Sequence, residues 1–139
     1  MSWSHGPWVA DTSAWARSSA PPVAHQWKQA AQAGDLVGCP VVIVELLYDA
    51  RDSEEVQRVA TALAGLEQAR ITGTVTDAAI AAVCQLAAGG SAGSHPVRVP
   101  DAVIAASAAE RGFAVLHYDR LAEALAFHSQ WVAPEGSIP

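Results

Sequence analysis

Apolar residues in this chain fall into short runs separated by segments of helical periodicity, an alternation that predicts strands joined by helices. Trp8-Val9-Ala10 reads as a short buried strand that exits into Asp11-Thr12-Ser13. Those polar residues are good helix starters, so residues 14–18 are expected to form a short helix. Pro21-Pro22 then breaks it, and residues 23–33 resume as a helix ended by Gly34. Residues 35–39 read as a brief strand. Pro40 suits the first turn of a helix. Glu45, Leu46, Leu47 and Ala50 continue the run at helical spacing, so a helix to about Ala50 is preferred over a strand, despite the β-branched residues at 41–44.

Asp52-Ser53-Glu54-Glu55 opens a further helix, where the dipole favours acidic residues, and Val56, Val59, Ala60, Leu63 and Leu66 recur at its spacing. A short extended piece near 69–71 precedes a helix over 78–88 that Thr76-Asp77 starts. The Gly/Ser-rich loop 89–94 is too short to divide the chain. Residues 97–100 lead into an alanine-rich helix over 101–111, with Gly112 as its cap. Residues 113–116 form a second clear strand with Asp119 at its exit. Residues 121–127 are helical and 130–133 make a closing edge strand. Strands alternating with helices imply α/β architecture: one domain over residues 1–139, with a mainly parallel central sheet and helices on both faces. Sites in such folds lie beyond the carboxyl ends of the strands.

Composition narrows the function. The chain has 139 residues, 51% of them hydrophobic and only 16% charged, enough for a substantial core with apolar surface to spare for a partner. No apolar stretch is long enough to span a membrane, and residues 1–7 lack the pattern of a secretory signal. Cys39 and Cys84 are too isolated for a zinc or redox motif and read as two buried free thiols in the cytoplasm. The formal net charge of −6, with Lys28 the single lysine, argues against a protein that coats nucleic acid by bulk electrostatics. A metal-dependent nuclease stays open, because a bound cation cancels negative charge locally.

Four acidic residues carry the candidate chemistry. Asp11, Glu45, Asp101 and Asp119 stand in or at the ends of apolar runs, where a carboxylate is costly unless paired, hydrogen-bonded or metal-bound. Two carboxylates about 4 Å apart repel by roughly 4 kcal/mol at an effective dielectric near 20, so a ring of four needs protons or a divalent cation. All-oxygen ligands favour Mg²⁺, with Mn²⁺ possible, and Mg²⁺ commonly shares its sphere with phosphate oxygens. The reaction class inferred is metal-assisted phosphodiester hydrolysis. Each residue also has a plainer reading: Asp11 as a helix cap, Asp101 as a dipole partner, Thr12 and Ser13 as caps. Arg17, Arg98 and Arg120 lie near the acidic motifs and could contact phosphate, although an ordinary surface arginine or a carboxylate partner is the commoner reading of any one. His117 reads as a packed or edge histidine rather than a general base, and Trp8 and Trp15 as core or interface.

Val9-Ala10-Asp11-Thr12-Ser13-Ala14-Trp15 resembles the opening strand and first acidic motif of PIN-domain ribonucleases, especially the VapC toxins of bacterial toxin–antitoxin pairs. The segment around Glu45 and Arg51-Asp52 is similar to the second motif, Pro100-Asp101-Ala102-Val103-Ile104-Ala105-Ala106-Ser107-Ala108 to the third, and Leu116-His117-Tyr118-Asp119 to the fourth. Trp131-Val132-Ala133-Pro134 resembles the tail of actinobacterial members. The motifs occur in the family's order over nearly the whole chain. The resemblance implies a cytoplasmic Mg²⁺-dependent endoribonuclease, with Asp11, Glu45, Asp101 and Asp119 around the metal and Ser13 and Thr12 assisting. It also implies an RNA substrate, a homodimer and a VapB-type antitoxin that blocks the cleft. In one departure, Asp119-Arg120 passes directly to Leu121-Ala122-Glu123, which shortens the rim after the fourth motif. That leaves two further readings: a PIN-like module that binds RNA or protein without cleaving, and a metal-dependent phosphatase or DNA nuclease.

Overall fold

The computed structural model describes residues 6–88, 98–117 and 129–131. Ten elements follow in chain order: β1 (Trp8–Ala10), α1 (Thr12–Arg17), α2 (Pro21–Gln32), β2 (Leu36–Val37), α3 (Pro40–Tyr48), α4 (Ser53–Ala64), α5 (Gly73–Ala88), α6 (Val99–Glu110), β3 (Ala114–His117) and β4 (Ser129–Trp131). The strands form one sheet in the order β2-β1-β3-β4, with every neighbouring pair parallel. The first strand made is therefore internal, flanked by β2 on one side and β3 on the other.

Side-chain alternation on these strands builds two cores. Trp8, Ala10, Leu36 and Leu116 face one side, where Ala14 of α1 and Val23, Trp27 and Ala30 of α2 cover them. Val9, Val37 and Val115 face the other, covered by Val42 of α3 and Ile104 and Ala108 of α6. Helices thus cover both faces, as expected of a parallel sheet. α5 packs against the outer side of α6 through Val75, Ala79 and Ala106. The alanine-rich character of α6 serves this double burial, since small side chains let the sheet and α5 approach it from opposite sides.

The helix boundaries differ from the sequence expectations where proline and glycine are concerned. Pro21 and Pro22 form the first turn of α2 and do not separate it from a later start, because an amide lost in a first turn has no partner to forfeit. α5 begins at Gly73, several residues before Thr76, because the Thr72 hydroxyl accepts the Val75 N–H at 3.2 Å and supplies the cap. α6 starts at Val99 with Pro100 in its first turn, which leaves Asp101 still within that turn. Near 69–71 there is no strand; the extended segment makes an isolated bridge, Gly38 to Gln68. Gly34 and Gly112 follow helices at φ of 75° and 70°, a left-handed conformation that favours glycine. The expectations for residues 89–94, for 121–127 and for Asp119 lie outside the described residues.

One thiol departs from expectation. Cys39 is buried at the foot of α3, but Cys84 is exposed on the outward side of α5, beside the exposed Ile80 and Val83. A stretch as apolar as Ala78 to Ala88 carries no sequence signal for which side faces the core. Among the described residues no helix is long and apolar enough to cross a membrane.

Candidate functional site

Asp11 leaves the carboxyl end of β1, and its N–H donates to the Leu116 carbonyl of β3 at 3.0 Å, so the central strand pair fixes its backbone. Its side chain turns back as the N-cap of α1. Oδ1 accepts the Ala14 N–H at 2.9 Å and the Ser13 hydroxyl at 2.6 Å. The cap reading and the site reading of Asp11 therefore coexist. Only 7% of the residue is exposed, and burial pushes its carboxyl above the usual range. The Ser13 and Ala14 hydrogen bonds and the nearby His117 oppose that shift, whereas the negative charge of Asp101 adds to it.

Glu45, in the middle of α3, had no partner visible in sequence. The fold supplies one: Thr12 Oγ1 donates to Glu45 Oε1 at 2.7 Å, tying the first turn of α1 to α3. Asp101, in the first turn of α6, receives Arg98 through both oxygens, with Nε to Oδ2 at 3.3 Å and a terminal nitrogen to Oδ1 at 3.2 Å. The same terminal nitrogen lies 3.6 Å from Glu45 Oε2. Arg98 so bridges α3 and α6, and Asp101 first, then Glu45, raises the guanidinium's pKa further. Glu45 and Asp101 thus meet at Arg98, and Asp11 is near enough for its charge to act on Arg98 and for that of Asp101 to act on it. Asp119, the fourth expected ligand, lies outside the described residues.

Arg98 links Glu45 to Asp101 and Thr12 holds Glu45, whereas the Asp11 carboxylate is held by Ser13 and Ala14, so the three are not closed into a cage. Among the described residues no group of three acidic, histidine or cysteine side chains stands at metal-holding separation. The chemistry of the donors nonetheless fits a hard divalent cation: they are all oxygen, and the buried Asp11 carboxyl is held against its preferred ionisation by burial and by Asp101, a cost that a cation relieves.

His117 is the residue whose environment was least legible in sequence. It is fully buried and follows Leu116, whose carbonyl binds Asp11. Neither ring nitrogen has a hydrogen-bond partner among the described residues. Beside the cluster, Thr12, Trp15, Leu46, Val59 and Leu63 line a groove of about 330 Å³ between α1, α3 and α4. Trp15 meets Trp27 edge to face, with ring centroids 4.8 Å apart.

The Thr12–Glu45 bond carries a testable consequence. Thr12→Val keeps the shape but removes the donor, and loss of such a supporting bond is expected to lower any reaction rate at this site by about tenfold or more. Thermal melting should show little change, since the residue is only half-buried. An unchanged rate would leave the bond without a role in the chemistry.

The PIN domain family model matches residues 9–128 of this chain. The chain is 31% identical to Ribonuclease VapC18 of Mycobacterium tuberculosis over 132 residues, which is 92% of this chain and 96% of that protein. It is 32% identical to Ribonuclease VapC51 of the same organism over 135 residues, covering 94% and 96%. Its fold is similar to that of the DNA-bound VapBC from Salmonella typhimurium, with a TM-score of 0.67 at 20% identity, over 86% of this chain and 92% of the other.

Proposed function

The chain belongs to the PIN domain family, and from that membership we propose that it is a VapC-type endoribonuclease toxin of a type II toxin–antitoxin pair. The observation that supports the reading is that Thr12, next to Asp11, bonds Glu45 while Arg98 pairs with both Glu45 and Asp101. It occurs in a chain that aligns along nearly its whole length with two proteins named as ribonucleases.

Asp11, Glu45 and Asp101, with Asp119 completing the set, would hold Mg²⁺ or Mn²⁺. When bound, such an ion offsets the charge of a phosphodiester under attack and acidifies water at neutral pH. The remaining work falls to the protein. Ser13 and the Ala14 amide fix the Asp11 carboxylate in one rotamer. Thr12 holds Glu45 Oε1 and Arg98 lies 3.6 Å from Oε2, and together they position the carboxylate that would orient the attacking water. Burial of Asp11 keeps bulk water from that corner of the site and strengthens each electrostatic contact there. Water oxygen would bond to phosphorus as the P–O bond to the leaving ribose oxygen breaks and that oxygen takes up a proton, giving two RNA fragments.

An antitoxin of the VapB type, a homodimeric assembly and action in the cytoplasm belong to the same proposal. Two observations support the antitoxin: the similar Salmonella fold is that of a VapBC complex, and a groove lined by apolar side chains together with Asp49 and Glu55 lies beside Thr12.

Metal removal tests the reading. With Mg²⁺ present, the purified chain is expected to cut structured RNA but not DNA or a small phosphoester. Activity should vanish on chelation and return when the ion is restored. RNA binding without cleavage at saturating metal would favour the non-catalytic module. Cleavage that persists in chelator would eliminate the carboxylate–metal assignment.

A further inference from the structure

Arg98 pairs with two carboxylates of the acidic cluster, and its attachment is lopsided. Its main chain is fixed as the N-cap of α6, with the Ala102 N–H bonded to its carbonyl at 3.2 Å. Its side chain is 63% exposed. The guanidinium makes two contacts to Asp101, at 3.3 and 3.2 Å, and one to Glu45 at 3.6 Å, at the loose end of ion-pair distance. The stem is anchored and the head is held weakly at an open surface.

Arg98 therefore neutralises two of the carboxylates that the ribonuclease reading assigns to a divalent ion. Such an ion brings two charges where the guanidinium brings one, so the acidic side chains retain less attraction for Arg98 once the ion is there. A guanidinium released beside these carboxylates is also the side chain best matched to a phosphodiester, because its planar fork pairs with two phosphate oxygens at once. The exposure of the head leaves it open to a strand that would cross the site.

We propose that Arg98 is a substrate-binding residue stored on Glu45 and Asp101: a divalent cation entering the site displaces its guanidinium, which then binds a phosphate of the RNA. This inference rests on the ribonuclease reading. It makes the metal and the arginine competitors for the same oxygens, and the arginine and the RNA partners. Removing Arg98 therefore moves two affinities in opposite directions. An arginine that only orients the carboxylates would move both the same way, and an incidental surface pair would move neither.

The experiment uses the full chain as wild type, Arg98→Gln and Arg98→Lys. Calorimetric titration with MnCl₂ in the absence of RNA comes first, followed by cleavage kinetics on one RNA at saturating Mn²⁺. Arg98→Gln is expected to bind Mn²⁺ about fivefold more tightly, in line with the loss of two partly exposed ion pairs. Its KM for RNA should rise roughly tenfold, the scale of a charge-assisted phosphate contact, with a smaller change in kcat. Arg98→Lys, which keeps the charge without the fork, should recover part of the KM. Circular dichroism checks that the variants fold, as the exposed side chain leads one to expect. Unchanged or weakened Mn²⁺ affinity in Arg98→Gln, or an unchanged KM, overturns the proposal while leaving the ribonuclease reading in place. A wild type that neither binds Mn²⁺ nor cuts RNA overturns both.

Discussion

Asp11→Asn should reduce RNA cleavage roughly a thousandfold, equivalent to about 4 kcal/mol of transition-state stabilisation, while the protein remains folded. The expectation rests on an asymmetry between charge and shape. The asparagine oxygen still accepts from Ser13 and Ala14, as Asp11 Oδ1 does, so the cap of α1 survives. Only the negative charge is lost. That charge is a burden on the folded state, because burial raises the Asp11 pKa above its value in the unfolded chain. A raised acid favours folding while it is protonated and disfavours it once the pH climbs through its folded pKa. At neutral pH the variant should therefore melt no lower than the wild type. The difference should shrink as the pH is lowered and the wild-type carboxyl takes up its proton. Mg²⁺ should raise the melting temperature of the wild type alone. Cleavage kinetics and calorimetry across pH check each part; a variant that retains full activity, or one that melts far lower at neutral pH, contradicts the assignment.

Trp27→Ala should cost about 4 kcal/mol of folding stability, the typical loss for a large aromatic in a core. Trp27 is only 9% exposed and joins α2 to the sheet face formed by Trp8, Ala10, Leu36 and Leu116. It also holds Trp15 of α1 edge to face, a geometry worth about 1 kcal/mol beyond burial. A small domain has roughly 5–15 kcal/mol in total, so the variant should approach the threshold for folding. Trp27→Phe, which keeps a ring, should lose less. Urea denaturation measures both, and a cost below about 1 kcal/mol would mean that the face is not packed as described.

Strand and helix order was readable in the sequence because the chain punctuates itself: Asp11 after Trp8-Val9-Ala10, Pro40 at the start of α3 and Gly112 after α6 mark real boundaries. The candidate carboxylates could be selected because charge embedded in apolar sequence demands an explanation. What joins them was not legible. The bond from Thr12 to Glu45 spans 33 positions of chain, and Arg98 reaches Glu45 only because α3 and α6 pack on the same face of the sheet. The complete burial of His117 likewise depends on the assembled sheet. The outward placement of Cys84 was missed for a different reason: in α5 every residue from Ala78 to Ala88 except Gln85 is apolar, and pattern there cannot choose a side.

The strand order also bears on when this chain becomes dangerous to the cell that makes it, if it is the toxin proposed. β1 emerges early in synthesis, yet β3, whose Leu116 carbonyl fixes Asp11, is encoded more than a hundred positions later. A ribosome stalled anywhere before β3 releases a fragment whose first aspartate lacks its neighbour strand, and α6 with Asp101 has no complete sheet to lie against. Such fragments should be harmless. Toxicity then arrives late and all at once, which leaves an inhibitor translated nearby the whole interval of elongation in which to be ready.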